Sequence, residues 1–101
     1  MTTFTEIIAY RIDPAKLGDF EAIKQTLIRE AGTIPGLLSS TTSVSAGDEA
    51  LFVDTMVWSS PEAAREGRSA FEALPTTPEF LGMMVGPPEF AGLFRHGRSP
   101  S

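Results

Sequence analysis

The sequence predicts a single α+β domain in which four antiparallel strands form one sheet and helices cover one of its faces. Strand and helix patterns follow each other in the order strand, helix, strand, strand, helix, strand within 101 residues. The chain has no cysteine, and its hydrophobic fraction of 42% is typical of a globular protein rather than a disordered one. We expect one domain over 1–101, with an ordered core over about 4–95 and a polar tail over 97–101.

The first half of the chain predicts a strand, a helix and a second strand. Residues 4–12 are rich in β-branched and aromatic side chains, as strands are. Asp13 and Pro14 then open a helix, because aspartate accepts hydrogen bonds from free N–H groups and proline suits the first helical position. Gly32 ends this helix, and a Ser- and Thr-rich strand is expected over 37–45. One apolar stripe runs along the helix at spacings of three and four, formed by Leu17, Phe20, Ile23, Leu27 and Ala31.

A hairpin is predicted in the middle of the chain. Residues 46–49 contain Gly47 and Asp48, which tolerate positive φ in tight turns. The third strand is expected over 50–58, and both of its faces are largely apolar. One face holds Phe52, Asp54, Met56 and Trp58, because side chains alternate along a strand.

A second helix begins directly after this strand. Ser60 is expected to cap it and Pro61 to occupy its first position. A short third helix is predicted over 77–84, and the last strand over 89–95. The inner face of the second helix is composed mainly of small residues, so it either packs close to the sheet or leaves space beneath it.

The order of these elements is that of a ferredoxin-like, split βαβ sandwich. Both helices lie on one face of the antiparallel sheet in this arrangement, and the other face stays bare. In this chain the bare face is apolar whichever face it is. Burial against a second copy would remove an exposed apolar patch of that size from solvent. We therefore predict a homodimer formed through the sheet face, a dimeric α+β barrel.

Composition and charge exclude several classes of function. The net charge is −5, and the eight basic residues form no stripe, so we expect no nucleic-acid partner. No apolar run approaches the ~20 residues of a membrane span, and the N-terminus has no signal-type pattern, so we expect a cytoplasmic protein without a membrane partner. The sequence has no ligand set spaced for zinc, and we expect no metal.

Three segments together resemble a known superfamily. They are the strand over 51–58, the abrupt helix start over 60–64 and the Thr-Pro-Glu-Phe run over 77–80. In these segments, and in element order over roughly 4–95, the chain is similar to the antibiotic biosynthesis monooxygenase superfamily, whose members are dimeric α+β barrels. The resemblance implies a pocket between each subunit's sheet and its own helices.

The resemblance also implies a chemistry. Quinone-forming members oxidise polyphenols with O₂ and use no metal or flavin, so no cofactor is expected. In those oxygenases an asparagine lies four residues before a tryptophan, and both face the pocket; here these positions are Asp54 and Trp58. Many members place a histidine nine residues after the tryptophan, where this chain has Gly67. Haem-degrading members need such a helix histidine to bind iron.

Asp54 and Trp58 are accordingly the candidate catalytic residues. Desolvation raises the pKa of a carboxylate in an apolar pocket and makes it a better base, a role that suits a position between Phe52, Met56 and Trp58. The alternative is that Asp54 accepts a hydrogen bond from Ser40 or Thr42 of the second strand. Trp58 can stack on an aromatic ligand or serve as a core anchor.

Six further residues are candidates for binding the substrate. Tyr10 could hold a substrate oxygen, although the pattern favours a position at the pocket rim. Aromatic and methionine side chains of the helices could line the pocket, or belong to an ordinary core. The candidates are Tyr10, Phe52, Met56, Phe71, Phe80 and Met84.

Three functions remain open at this stage. The first is a cofactor-independent oxygenase acting on a small phenolic or anthrone-like compound. The second is a non-catalytic dimeric protein that binds a small apolar molecule in the same pocket. The third is a stress-related or structural dimer whose pocket is filled by its own side chains, with Phe71 and Met84 packed against Trp58.

Overall fold

The structure of the protein, a computed structural model, describes residues 2–96, and the predicted tail over 97–101 lies outside the described residues. A short 3-10 turn (Pro14–Lys16) precedes the first long helix. The strands and helices are β1 (Phe4–Arg11), α1 (Leu17–Ala31), β2 (Leu37–Ser45), β3 (Asp48–Trp58), α2 (Pro61–Glu72), α3 (Thr77–Leu81) and β4 (Phe90–Arg95).

The four strands form one antiparallel sheet in the order β2-β3-β1-β4. The helices pack on one face of this sheet, which confirms the predicted ferredoxin-like α+β fold. The register aligns Thr42, Asp54, Ile8 and Ala91 in one row across all four strands. Because facing positions of paired strands point to the same side, the whole row faces the helices.

The predicted start of the second helix is confirmed by its cap, whereas Asp13 caps the 3-10 turn and α1 itself begins only at Leu17, without a side-chain cap. The Asp13 carboxylate accepts a hydrogen bond from the Ala15 backbone N–H at 3.0 Å. The Ser60 hydroxyl accepts one from the Ala63 N–H at 3.0 Å, and α2 begins at Pro61. This cap fixes where the chain leaves Trp58, so the last residue of β3 and the first turn of α2 lie at the same end of the sheet.

The predicted hairpin differs from the observed one. Strand β3 begins at Asp48, two residues earlier than predicted, and neither Gly47 nor Asp48 has positive φ. A shift of register between Val44 and Ser45 accompanies the reversal instead. Asp48 joins the strand because its carboxylate accepts hydrogen bonds from the Ala50 N–H at 3.0 Å and from the Arg11 guanidinium of β1 at 2.5 Å.

The third helix is shorter than predicted. It ends at Leu81 rather than Met84, because the chain turns at Gly82 and Met84 pairs in an isolated bridge with Ile12 beyond the end of β1. The prediction for the last strand is one residue too long at its start. The backbone of Glu89 is nevertheless tied to β1, because its N–H donates to the Ala9 carbonyl at 2.8 Å.

The two faces of the sheet differ in how the chain covers them. The inner face packs against the helices in two apolar clusters, one around Tyr10 and Phe80 and the other around Trp58 and Ala64. The outer face carries a row of apolar side chains, and no helix or strand of the described residues packs over it. Phe90 and Phe94 are 48% and 46% exposed there, and they lie beside the half-buried side chains of Ile7, Ala9, Val53 and Val57.

No helix within residues 2–96 has both the length and the apolar character that a membrane span requires. The cytoplasmic location stays a prediction.

Candidate functional site

A cavity of about 430 Å³ lies between the inner face of the sheet and the three helices. Residues of both apolar clusters line it, and Phe71 packs against both clusters. Its walls are mostly apolar, formed in part by Leu27, Met56, Trp58, Phe71, Phe80 and Met84. A cavity of this size and character suits a small organic molecule of a few fused rings.

The cavity has one exposed side. Arg68 and Glu72 of α2, Leu81 at the end of α3, and Pro88 and Ala91 beside β4 are all exposed and line it. These residues place the opening between α2, α3 and the β4 edge of the sheet. The opening is therefore charged on its α2 side, while the interior is apolar.

Trp58 forms one end of the cavity because Gly67 makes room for its indole ring. A Cβ atom at position 67 would lie 2.2 Å from Cη2 of Trp58, which is closer than any side chain can approach. The indole is 3% exposed, and its Nε1–H donates to Glu6 Oε1 at 3.0 Å. The position at which the resemblance implies a helix histidine is thus occupied here by the tryptophan ring itself.

A buried polar network stands in the wall of this cavity, with Asp54 at its centre. Oδ1 of Asp54 accepts hydrogen bonds from the Tyr10 hydroxyl at 2.9 Å and from the Thr42 hydroxyl at 2.8 Å. Oδ2 accepts one from the Lys24 ammonium at 2.5 Å. Asp54 and Lys24 are each only 7% exposed, so this ion pair is shielded from water and from salt.

Lys24 is a site residue that the sequence interpretation missed. It lies on α1 four residues after Phe20 and three before Leu27, so it occupies the buried stripe of the helix. Its ammonium sits 4.3 Å from the centre of the Phe80 ring and 5.4 Å from that of Tyr10. The sequence did show a lysine at a core position of an amphipathic helix, which indicates a buried cation that needs a partner. Only the fold shows that this partner is Asp54.

Burial and the Asp54 charge shift the pKa of Tyr10 in the same direction, but they oppose each other at Lys24. Burial raises the pKa of the Tyr10 hydroxyl, and the Asp54 charge and the hydrogen bond to it raise the pKa further, since they favour the neutral phenol. Burial lowers the pKa of the Lys24 ammonium, and the Asp54 charge opposes that shift. The network therefore pairs a phenol that keeps its proton with an ammonium whose charge depends on Asp54.

The structure brings seven of the eight predicted site residues to the cavity. They are Tyr10, Asp54, Met56, Trp58, Phe71, Phe80 and Met84. Phe52 is the exception: its ring packs 4.3 Å from that of Phe20 and lines a separate open groove between α1 and β2. The catalytic and binding roles of these residues stay predictions.

Two expectations about individual residues are decided by the geometry. A rim position for Tyr10 is wrong, because the residue is 1% exposed and its ring lies inside the core cluster. The alternative interpretation of Asp54 is confirmed for Thr42, which donates to it, whereas Ser40 lines the cavity. Asp54 is therefore not isolated among apolar groups, as its strand neighbours alone suggested.

Within residues 2–96, no three histidine, cysteine or acidic side chains lie close enough together to hold a metal ion.

Comparison with known proteins shows the fold and leaves the activity open. No family model matches the chain, and no curated protein matches it in sequence. Solved structures match over nearly the whole chain. SnoaB from Streptomyces nogalater, a cofactor-independent oxygenase, is 18% identical with a TM-score of 0.80, over 98% of this chain and 97% of that one.

Two structures described as antibiotic biosynthesis monooxygenases have the same TM-score. One, from Bordetella bronchiseptica, is 13% identical with a TM-score of 0.80 and covers 99% of this chain and 100% of its own. The other, from Caulobacter crescentus, is 18% identical with a TM-score of 0.80 and covers 95% and 91%. The chain thus has the fold of the antibiotic biosynthesis monooxygenase structures, and the predicted resemblance is confirmed at that level.

We predict that Gly67→Ala displaces the indole of Trp58. Alanine gains up to about 1 kcal/mol of helix propensity over glycine, but overpacking costs about 1–3 kcal/mol. Trp58 is the single tryptophan of the chain, so its emission spectrum reports the move directly. Urea unfolding gives the accompanying loss of stability.

Gly18→Ala is the matched control, because Gly18 is also on a helix and a Cβ there meets nothing within 4 Å. That variant should gain stability and keep the emission spectrum. Equal stabilities for the two variants with an unchanged Trp58 spectrum would show that the glycine is not required by the indole.

We predict that Tyr10 keeps its proton for as long as the protein is folded. The folded pKa is raised above that of the unfolded chain, about 10, so its stabilising contribution is complete below that pH and is lost as pH rises above it. Tyr10 is the single tyrosine, so phenolate absorbance reports it alone. Absorbance and circular dichroism should change together in an alkaline titration, whereas in concentrated urea the phenolate should form near its ordinary pKa. A phenolate signal that develops while the circular dichroism remains native would contradict the buried hydrogen bond.

Proposed function

We propose that the protein binds a flat phenolic or anthrone-like compound in the cavity and oxidises it with O₂ as a cofactor-independent oxygenase. The observation that supports this most is the coincidence of an aromatic-walled cavity with a buried carboxylate network in its wall. A fold shared with SnoaB is consistent with the proposal, but one fold supports many functions, so the site must support it.

The cavity walls suit a planar ring system. Trp58 closes one end, and the Phe71 and Phe80 rings lie 6.3 Å apart at nearly right angles, so they offer one ring face and one ring edge. Aromatic walls of this kind hold flat ligands by stacking and by edge contacts. Met56 and Met84 are half-buried and flexible, so they can adjust to the ligand outline.

Asp54 would act as the general base through Oδ2. A carboxylate offers about four lone-pair sites, and the described contacts use two on Oδ1 and one on Oδ2. One site beside Lys24 is therefore left for the acidic hydrogen of a ligand. Removal of that proton gives an electron-rich anion that can pass an electron to O₂. Overall, an anthrone methylene group and O₂ give a carbonyl group and water.

A non-catalytic binding protein is the second candidate. The same three hydrogen bonds that position Asp54 also satisfy it structurally, and a well-paired carboxylate needs no catalytic role. The third candidate requires side chains that fill the pocket, and an open cavity of about 430 Å³ does not favour it.

Oxygen uptake separates the two remaining candidates. We expect the purified protein to consume O₂ when an anthrone or a hydroquinone is added, and Asp54→Asn to reduce the rate by about 10²–10⁴-fold, the usual contribution of a general base. Asp19→Asn, an exposed carboxylate on α1, is the matched control and should keep the rate. Binding of the same compounds without O₂ consumption would contradict the oxygenase and support the binding protein.

We further propose that the outer face of the sheet pairs with a second copy of the chain. The apolar row that includes Phe90 and Phe94 is exposed in one copy of the chain. The rings of these two residues lie nearly parallel, with their centres 6.1 Å apart. Monomeric proteins seldom expose a continuous apolar patch on a flat sheet. A two-fold arrangement would bury the same patch on both copies, since such an interface is self-complementary.

Light scattering tests this assembly. The wild-type particle should have about twice the chain mass of 10.9 kDa, and Val53→Arg, which puts a charge at the centre of the outer face, should shift it toward the monomer. Glu62→Arg on the exposed side of α2 is the control for added positive charge and should leave the dimer intact. A wild-type particle of monomer mass in dilute buffer would contradict the proposal.

A further inference from the structure

The Lys24 ammonium has more hydrogen-bond donors than the described chain uses. An ammonium carries three N–H groups. Among residues 2–96, the acceptor that meets it is Oδ2 of Asp54, at 2.5 Å. Its other near neighbours are the rings of Phe80 and Tyr10, which attract the charge but provide no oxygen. Because the side chain is only 7% exposed and lines the cavity, a molecule in the cavity is the natural source of a further acceptor.

Asp54 can share this ammonium with a ligand. Its Oδ1 atom already accepts hydrogen bonds from the Tyr10 and Thr42 hydroxyls. The carboxylate therefore keeps two neutral donors when the Lys24 ammonium also donates a hydrogen bond to a ligand oxygen. A second anion beside Lys24 then lies next to a carboxylate whose charge is partly spread over those donors. The arrangement resembles one cation bridging two oxygens, of which the protein supplies one.

We infer that Lys24 is the specificity-determining residue of the cavity, and that it selects aromatic compounds whose ring bears an ionised hydroxyl oxygen, a phenolate or an enolate. The inference rests on the proposed binding of an aromatic ligand in the cavity, and it does not depend on a reaction with O₂. It gives the form in which the cavity holds the proposed ligand as the anion produced by loss of its acidic proton, bound by a charge-assisted hydrogen bond.

Other charged groups around the cavity do not provide the same selection. Glu6 is negative and accepts the hydrogen bond from Trp58, and Glu72 is negative and exposed. Arg68 is positive but lies at the exposed opening, where water and salt weaken its attraction for an anion. Lys24 acts from a buried position, 7% exposed, where the same charge attracts an oxygen anion more strongly. The pKa of Lys24, lowered by burial, fits a group that gains from a second negative neighbour.

A matched pair of probes tests the inference without O₂. Para-nitrophenol can ionise, and its phenolate absorbs at longer wavelength than the neutral phenol; para-nitroanisole has the same ring with a methyl ether. At a pH where the free phenol is mostly neutral, wild-type protein should bind the nitrophenol with the phenolate spectrum and in clear preference to the ether. Lys24→Met should weaken nitrophenol binding by about tenfold or more and leave ether binding nearly unchanged. Lys24→Arg should retain the preference.

Controls separate the charge of Lys24 from its role in folding. Lys16→Met removes the only other lysine, which is exposed, and should change neither affinity. The double variant Lys24→Met, Asp54→Leu removes both buried charges and leaves no unpaired charge in the wall. It therefore replaces the single variant if Lys24→Met fails to fold. It should also bind the two probes equally. Circular dichroism confirms that each variant is folded.

Three results would overturn the inference. One is equal affinity of the wild-type protein for the two probes, or no binding of either. Another is a nitrophenol that binds with the spectrum of the neutral phenol. The third is a preference that survives Lys24→Met but disappears in Arg68→Met, which would place the selection at the opening. These outcomes leave the O₂-uptake result untouched, so failure of the oxygenase and failure of the anion site are distinguishable.

Discussion

The buried ion pair between Lys24 and Asp54 joins helix α1 to the centre of the sheet, and the site is arranged around it. Removing two charges from water is costly, and this cost is offset only where geometry and additional hydrogen bonds are good. Tyr10 and Thr42 supply those bonds from β1 and β2, so three strands and one helix meet at one carboxylate. Loss of one charge from such a pair costs about 3–5 kcal/mol, because the other stays buried without its partner. The pair thus holds α1 in place and sets the polarity of the cavity wall beside it.

The cavity exists because the second helix cannot fill the space beneath it. Ala64, Gly67 and Ala70 give α2 a narrow inner face, and the Trp58 ring occupies the place that a larger side chain at 67 would take. The ring closes one end of the cavity, and the aromatic side chains of α2 and α3 close another side. A space of this kind stays open because its walls are held by neighbours on different elements, so it cannot collapse without moving the ion pair or the indole. The same packing that stabilises the domain therefore defines what the cavity can accept.

Both sides of the sheet contribute to function in the arrangement we propose. The inner face provides the cavity wall, whereas the outer face provides a flat apolar surface for a second copy. The two roles are linked through β1 and β3, because successive residues such as Val53 and Asp54 face opposite sides. Arg11 closes one end of the outer face by pairing with Asp48 and with Glu89, which fixes the ends of β3 and β4 against β1. The charge-paired end and the apolar centre give that face a defined boundary.

The sequence by itself determined the element order, the caps at Asp13 and Ser60, and the strand face that Asp54 shares with Met56 and Trp58, because these features depend on local chemistry and on the alternation of side chains. It also supported the resemblance to the superfamily, which the solved structures confirm for the fold. It offered Thr42 as one possible partner of Asp54, but it could not determine that Tyr10 and Lys24 also meet the carboxylate, because the strand register and the rotation of α1 are set by packing. A rim position for Tyr10 was wrong, and of the two settings considered for Asp54 the hydrogen-bonded one is observed. Only the tertiary structure decided which buried polar groups meet, because each satisfies hydrogen bonds that residues distant in sequence leave open.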